Sequence, residues 1–253
     1  MLRLYDINKI FDNKKNVVII IQARTSSKRF PKKIFKKFFG KPYILNIFKN
    51  FKNKYQLTVV ATTVSKNDDK LVNLLKKNRF SHFRGSENNL VQRFIDCCKN
   101  LEKKFKIKDF KILRVCADMP FINPCLSKKS LKLLQKGTDY VGYSPDLLDG
   151  YNIEAFWYSS LKKLSKKKLT KIEKEHIGPG FMNNDFIIKQ LNINTIKVKT
   201  KISLSLDYRI DYKNLKKLEK LILRKLGNKI YVNYNQMKKI INDNKLDSYF
   251  RKL

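Results

Sequence analysis

The feature that most constrains this chain is a five-residue aliphatic run, Val17-Val18-Ile19-Ile20-Ile21. It opens directly into Gln22-Ala23-Arg24-Thr25-Ser26-Ser27-Lys28-Arg29-Phe30-Pro31-Lys32-Lys33. So short and apolar a run reads as a strand buried on both faces, the kind found inside a parallel sheet. Arg24, Arg29 and Lys33, with the hydroxyls of Ser26 and Ser27, crowd the loop at its carboxyl end. Cations at that end of a strand are where an open α/β sheet binds a polyphosphate. The loop is not a P-loop: it lacks Gly-x-x-x-x-Gly-Lys-Ser/Thr, and no glycine precedes Gly40. The phosphates are therefore expected to be held by side chains rather than by a nest of backbone amides.

The rest of the 253 residues supports this reading. Residues 1–15 read as an extension, followed by one domain over 16–253. Strand patterns over 17–23, 57–62, 81–83, 110–116 and 139–143 alternate with helical ones over 42–52, 68–78, 88–104 and 127–136, the last with Ser127 as its cap. This alternation predicts a mainly parallel sheet covered by helices on both faces. The pattern loosens over 140–200, where an inserted cap or dimerisation subdomain is expected. There 153–158 reads as a strand, 159–183 as helix interrupted at Gly178-Pro179-Gly180, and 186–190, 195–199 and 202–206 as short strands. Helices over 212–226 and 235–244 close the chain, with Asp211 placed to cap the first.

Charge is the strongest compositional signal and the least specific. The net charge is +36, from 57 basic and 21 acidic residues. That balance raises a nucleic-acid binder as one reading. However, 47 of the basic residues are Lys and only 10 Arg, spread along the whole chain. Nucleic-acid surfaces concentrate Arg and interleave aromatics, so solvated lysines are the preferred reading. No apolar run approaches the roughly 18 residues that span a bilayer, and no secretory core is seen near the start. Cys97, Cys98, Cys116 and Cys125 include no C-x-x-C pair, so reduced thiols and a cytoplasmic location are expected.

Two carboxylates sharpen the phosphate reading. Asp118 follows a predicted central strand, in Arg114-Val115-Cys116-Ala117-Asp118-Met119-Pro120, and Asp207 follows the segment 202–206. Each alone is equally well a turn or helix-entry residue. Together with the cationic loop they fit a Mg²⁺–nucleoside triphosphate. His176 and His82 have structural readings, Glu154 the reading of a partner for lysine, and Trp157 and Cys116 that of core residues.

These segments resemble, in order, the sugar-acid cytidylyltransferases, most closely the branch named for spore-coat polysaccharide synthesis, with CMP-Kdo and CMP-N-acetylneuraminate synthetases as more distant relatives. The matching pieces are the loop motif with Gly40-Lys41-Pro42, Val60-Ala61-Thr62-Thr63, Arg84-Gly85-Ser86-Glu87 with Arg93, Arg114 to Pro120, Asp149-Gly150 with Glu154, Glu175-His176, and Leu206-Asp207-Tyr208-Arg209-Ile210-Asp211. The resemblance implies the three-layer α/β/α nucleotide-diphospho-sugar transferase fold, Rossmann-like, and transfer of CMP from CTP to a sugar acid. It implies that Gln22, Ala23, Arg24, Arg29, Lys33, Ala61, Thr62, Thr63, Arg84, Gly85 and Ser86 line the nucleotide site. Lys33, Arg24, Asp118 and Asp207 would carry catalysis, Asp118 and Asp207 would hold Mg²⁺, and Arg93, Glu154 and His176 would serve the sugar side. It also implies a homodimer. Three positions depart from the pattern: Lys32 stands where glycine is common, Asn88-Asn89 where acids are usual, and Tyr208 where a small residue is usual. Lys32 and Tyr208 motivate a competing reading, a nucleotide-binding scaffold that has lost turnover.

Overall fold

The computed structural model describes residues 1–5, 17–55, 57–143, 147–192, 202–227, 232–246 and 250. In chain order the elements are β1 (Leu2–Arg3), β2 (Val17–Gln22), β3 (Lys37–Phe38), β4 (Lys41–Pro42), α1 (Tyr43–Lys52), β5 (Leu57–Thr63), α2 (Asp69–Lys77), β6 (His82–Gly85), α3 (Leu90–Phe105) and β7 (Lys111–Cys116). They continue with α4 (Ser127–Leu133), β8 (Tyr140–Tyr143), β9 (Ile153–Trp157), α5 (Tyr158–Ser165), α6 (Lys171–Glu175), α7 (Ile177–Met182), β10 (Ile188–Leu191), α8 (Arg209–Leu226) and α9 (Tyr234–Asp243). Eight strands form one mixed sheet in the order β1-β6-β5-β2-β7-β9-β8-β10. β2 pairs in parallel with both β5 and β7, whereas β9 runs antiparallel to β7 and β8.

The aliphatic run behaves as a strand buried on both faces. Ile19 and Ile21 pack into one core with α1, α2, α8 and α9. Val18 and Ile20 point the other way, into a second core with α3, α5 and α7. The result is a three-layer α/β/α sandwich. From β2 the chain winds outward through β5 and β6, then crosses back to β7 on the other side of β2. The carboxyl ends of β2 and β7 thus flank a switch point, where open sheets leave a crevice.

Several expectations are corrected. Among the described residues of 140–200, β8, β9 and β10 belong to the main sheet. Residues 2–3 of the extension add an antiparallel edge strand beside β6. Ser127 is the first residue of α4 rather than its cap, and Leu126 occupies the capping position without a side-chain bond. The helical stretch 159–183 breaks around 166–170 and at His176, not at Gly178-Pro179-Gly180, which lies inside α7. Segment 202–206 is not a strand of the sheet; a parallel bridge joins Ser203 to Asp149, and Leu206 N–H bonds Asp118 O. Segment 195–199 falls outside the described residues. The sequence reading also missed the hairpin of β3 and β4, whose turn residues Phe39 and Gly40 both have positive φ.

Candidate active site

The loop after β2 closes by a left-handed turn. Lys32 has φ 56° and ψ 20°, so this position does demand the conformation that glycine adopts freely. A lysine holds it at a cost of about 1 kcal/mol. Phe30 and Ile34, both buried, pin the two limbs of the turn into the core. The turn sets Lys33 at the start of a short 3₁₀ segment, with its ammonium inward and largely sheltered.

Lys33 joins the two carboxylates. Its Nζ lies 3.0 Å from Asp207 Oδ1 and 3.9 Å from Asp118 Oδ2. Arg29 Nη2 donates to the same Asp207 oxygen at 2.9 Å, and its guanidinium sits 5.1 Å from the centre of the Tyr208 ring. Backbone bonds fix the aspartates: Leu206 N–H donates to Asp118 O at 2.7 Å. The N–H groups of Asp207 and Tyr208 both donate to Asp211 Oδ2 at 2.8 Å. Asp211 therefore caps α8 from its first turn, not from the preceding position. Burial pushes the Asp118 carboxyl above its usual range; Lys33 pulls it down and Asp207 adds to the rise.

Two hard oxygen donors on adjacent backbone anchors suit Mg²⁺, which takes one or two carboxylates and completes its shell with phosphates and water. Among the described residues no group of three or more His, Cys, Asp and Glu is placed to hold a metal ion.

On the β5 side, Asp68 organises what the sequence assigned to the base pocket. It is 1% exposed. It accepts bonds from Thr25 N and Oγ1, both at 2.7 Å, from Thr62 Oγ1 at 2.8 Å, and from Thr63 N and Oγ1 at 3.1 and 2.5 Å. Burial alone would raise its pKa, but the bonds from Thr63, Thr25 and Thr62 prevail and hold it below the usual carboxylate range. The Thr62 and Thr63 hydroxyls thus turn inward to Asp68. Ala61 O accepts from Ala23 N–H at 3.1 Å, tying the loop's first residue to β5. Sequence reading gave Asp68 only a place at a helix start.

Arg84 braces the same edge, donating to Thr63 O and Ser65 O at 2.9 and 2.8 Å and pairing with Asp69 at 2.7 Å. Gly85 lies under Arg93, where a Cβ would stand 3.0 Å from Arg93 Cγ. Arg93 donates to Ser86 O at 2.7 Å and Glu87 O at 3.2 Å. Its pKa falls to about 10, first through burial and then through the nearby, exposed Arg24. Arg93 therefore belongs with the β5–β6 half, away from Glu154 and His176.

Those two residues line a cleft of about 390 Å³ on the other side of the switch point, with Gln22, Asp118, Tyr143 and Asp149. Its floor is a buried chain. Gln22 Oε1 accepts from Arg114 Nε and Nη2 at 3.1 and 2.9 Å, and Arg114 pairs closely with Glu154. Arg114 and Glu154 face each other in the register of β7 and β9. The second Glu154 oxygen, Oε2, is buried, as is the Tyr140 hydroxyl, and neither has a hydrogen-bond partner among the described residues by geometry. His176 is exposed at the end of α6. Cys116 also lines the cleft, and burial pushes its thiol up to about 12, so it stays protonated. Gln22 thus serves the cleft floor. Arg114 was overlooked as a site residue, although oppositely charged residues inside two buried apolar runs were a signal for it.

The sequence profile of the family described as "Cytidylyltransferase" matches residues 18–248. The chain belongs to this family. A cytidylyltransferase from Leptospira borgpetersenii shares 29% identity and a TM-score of 0.79, over 94% of this chain and 98% of that one. The 3-deoxy-manno-octulosonate cytidylyltransferase of Wigglesworthia glossinidia brevipalpis is 33% identical over 109 residues, 42% of each chain. The spore coat polysaccharide biosynthesis protein SpsF of Bacillus subtilis is 30% identical over 133 residues, 49% of this chain and 52% of SpsF. The chain thus aligns with about half the length of these last two relatives. Its architecture is the α/β nucleotide-sugar transferase fold, and the chain is a nucleotidyltransferase. Among the described residues no helix is long and apolar enough to cross a membrane.

Proposed function

We propose that this cytidylyltransferase joins CMP from CTP to a hydroxyl of a sugar acid, releasing pyrophosphate, for surface-polysaccharide synthesis. The observation that carries the reading is the convergence of Lys33, Arg29, Asp118 and Asp207 at the switch point, beside the cleft floored by Gln22, Arg114 and Glu154. The acceptor lies in that cleft, and its hydroxyl oxygen, giving up its proton to water, forms a bond to the α-phosphorus of CTP. The bond from that phosphorus to the bridging oxygen breaks in line, and pyrophosphate departs toward the loop. Lys33, Arg29 and Arg24 take up the charge that gathers on the leaving phosphates. Asp118 and Asp207 would hold Mg²⁺, which would neutralise the charge that develops on the phosphates. The other residues act by positioning, which fits phosphoryl chemistry.

Glu154, His176 and Asp149 line the cleft that receives the sugar. A scaffold without turnover is less favoured, because Lys32 closes the loop in the conformation that glycine would take. The test is pyrophosphate release from CTP and Mg²⁺ across a panel of ulosonic and nonulosonic acids. Release with at least one acid is expected. Silence across the panel, together with no CTP binding, refutes the reading.

A further inference from the structure

Arg29 is an awkward residue to trust with a phosphate. Its side chain is 53% exposed on a surface loop, and a long exposed side chain gains little from one ion pair. Its partner, Asp207 Oδ1, also serves Lys33. Phosphates that draw both cations toward themselves loosen their hold on Asp207. Something else must then keep Arg29 over the loop.

We propose that Tyr208 is a positioning residue that seats the Arg29 guanidinium for the triphosphate, an inference that rests on the nucleotide reading above. The ring lies 5.1 Å under the guanidinium carbon, within the range of a cation–π contact. The seat is rigid, because Tyr208 N–H and its neighbour Asp207 N–H both bond Asp211 at the start of α8. It is also placed for function rather than packing: Tyr208 is 39% exposed, among the few large apolar side chains on the surface. A small residue after Asp207 leaves Arg29 with only its shared carboxylate. The tyrosine supplies a hold that does not compete with phosphate, since a ring face repels anions and attracts only the cation. The Tyr208 hydroxyl acts in the same sense, raising the Arg29 pKa together with Asp207, against the effect of burial.

The experiment measures binding of CTP, and of inorganic triphosphate as a base-free probe, to wild type, Tyr208→Leu, Arg29→Met and the double variant. Thermal melts of each variant check the fold. Tyr208→Leu is expected to weaken both ligands by about three-fold, the scale of one exposed cation–π contact. In the Arg29→Met background the same change is expected to add nothing. In turnover, KM for CTP rises while kcat stays within about two-fold, because the loss is one of phosphate binding. Equal losses in both backgrounds, or unchanged binding in Tyr208→Leu, overturn the proposal. Wild-type protein that binds neither probe refutes instead the nucleotide reading on which it stands.

Discussion

Asp68 is the residue whose replacement tests this architecture most directly. Consider Asp68→Asn, which preserves shape and removes one acceptor oxygen. The carboxylate receives five bonds, two of them from backbone N–H groups, Thr25 and Thr63, one on each oxygen. The threonine hydroxyls can rotate to accept from the new amide, but a backbone N–H cannot. Whichever way the amide turns, one buried N–H faces an NH₂ group. An unsatisfied buried donor costs about 1–3 kcal/mol, and losing charge assistance on the remaining bonds adds about 1 more. The expected loss is therefore about 2–4 kcal/mol, or roughly 5–12 °C in Tm for a domain of this size. The pH dependence has a definite sign. The folded pKa of Asp68 lies below its unfolded value, near 3.9. The stability it contributes is thus complete above that value and disappears as pH falls through the folded pKa. Urea midpoints of wild type and variant are expected to differ widely at pH 7 and to converge below about pH 4. Thr25 roots the cationic loop, so KM for CTP rises in the variant as well. A variant with the wild-type midpoint at pH 7, or a gap that widens in acid, refutes the account of Asp68 as an ionised hub.

Other replacements give equally definite outcomes. Lys33→Ala is expected to lower kcat by about 10²–10³ with little change in Tm, since Lys33 lies outside both apolar cores; pyrophosphate release and a melt together check it. Arg114→Met leaves Glu154 buried without its cation and is expected to cost about 3–5 kcal/mol in urea unfolding, while the pair Arg114→Met with Glu154→Leu recovers much of that loss. Lys32→Gly relieves the left-handed strain and is expected to keep full turnover while raising stability by about 0.5 kcal/mol in thermal melts.

The strands were legible wherever an apolar run ended at a polar loop. β2, β5 and β7 lie within a residue of their expected bounds, because strands buried on both faces leave no ambiguity of period. Segment 202–206 shows the limit of that logic. Ile202, Leu204 and Leu206 alternate with serines and are buried, as a strand requires. The backbone partners of Leu204 and Leu206, however, are the loop carbonyls of Asp149 and Asp118. Gly178-Pro179-Gly180 misled for a different reason. Pro179 sits in the first turn of α7, where its missing N–H is harmless. The glycines there permit close packing against Tyr140 and Leu164 rather than ending a helix. Of the site, Lys33, Asp118 and Asp207 come together: Asp118 and Asp207 closely follow the apolar segments 110–116 and 202–206, and Lys33 ends the loop after β2. Asp68 was hidden because it also suits a helix start, and its partner Thr25 is 43 positions away. Arg93, which the resemblance placed toward the sugar side, donates to the carbonyls of Ser86 and Glu87 beside β6.

The crossing from β6 back to β7 has a consequence for how such a protein changes over time. The described residues of 17–93 build one flank of the crevice, and those of 111–207 the other. The halves are contiguous in sequence and stitched across the gap by few side chains: Lys33 and Arg29 reach to Asp118 and Asp207, and Gln22 reaches to Arg114. Mutations that reshape the acceptor wall therefore accumulate in one continuous stretch of gene without touching the donor flank. A single recombination near the 106–110 connection exchanges one flank whole. Such a layout lets a lineage vary the cleft wall around Tyr143, Asn152 and Pro179 while the loop after β2 stays as it is.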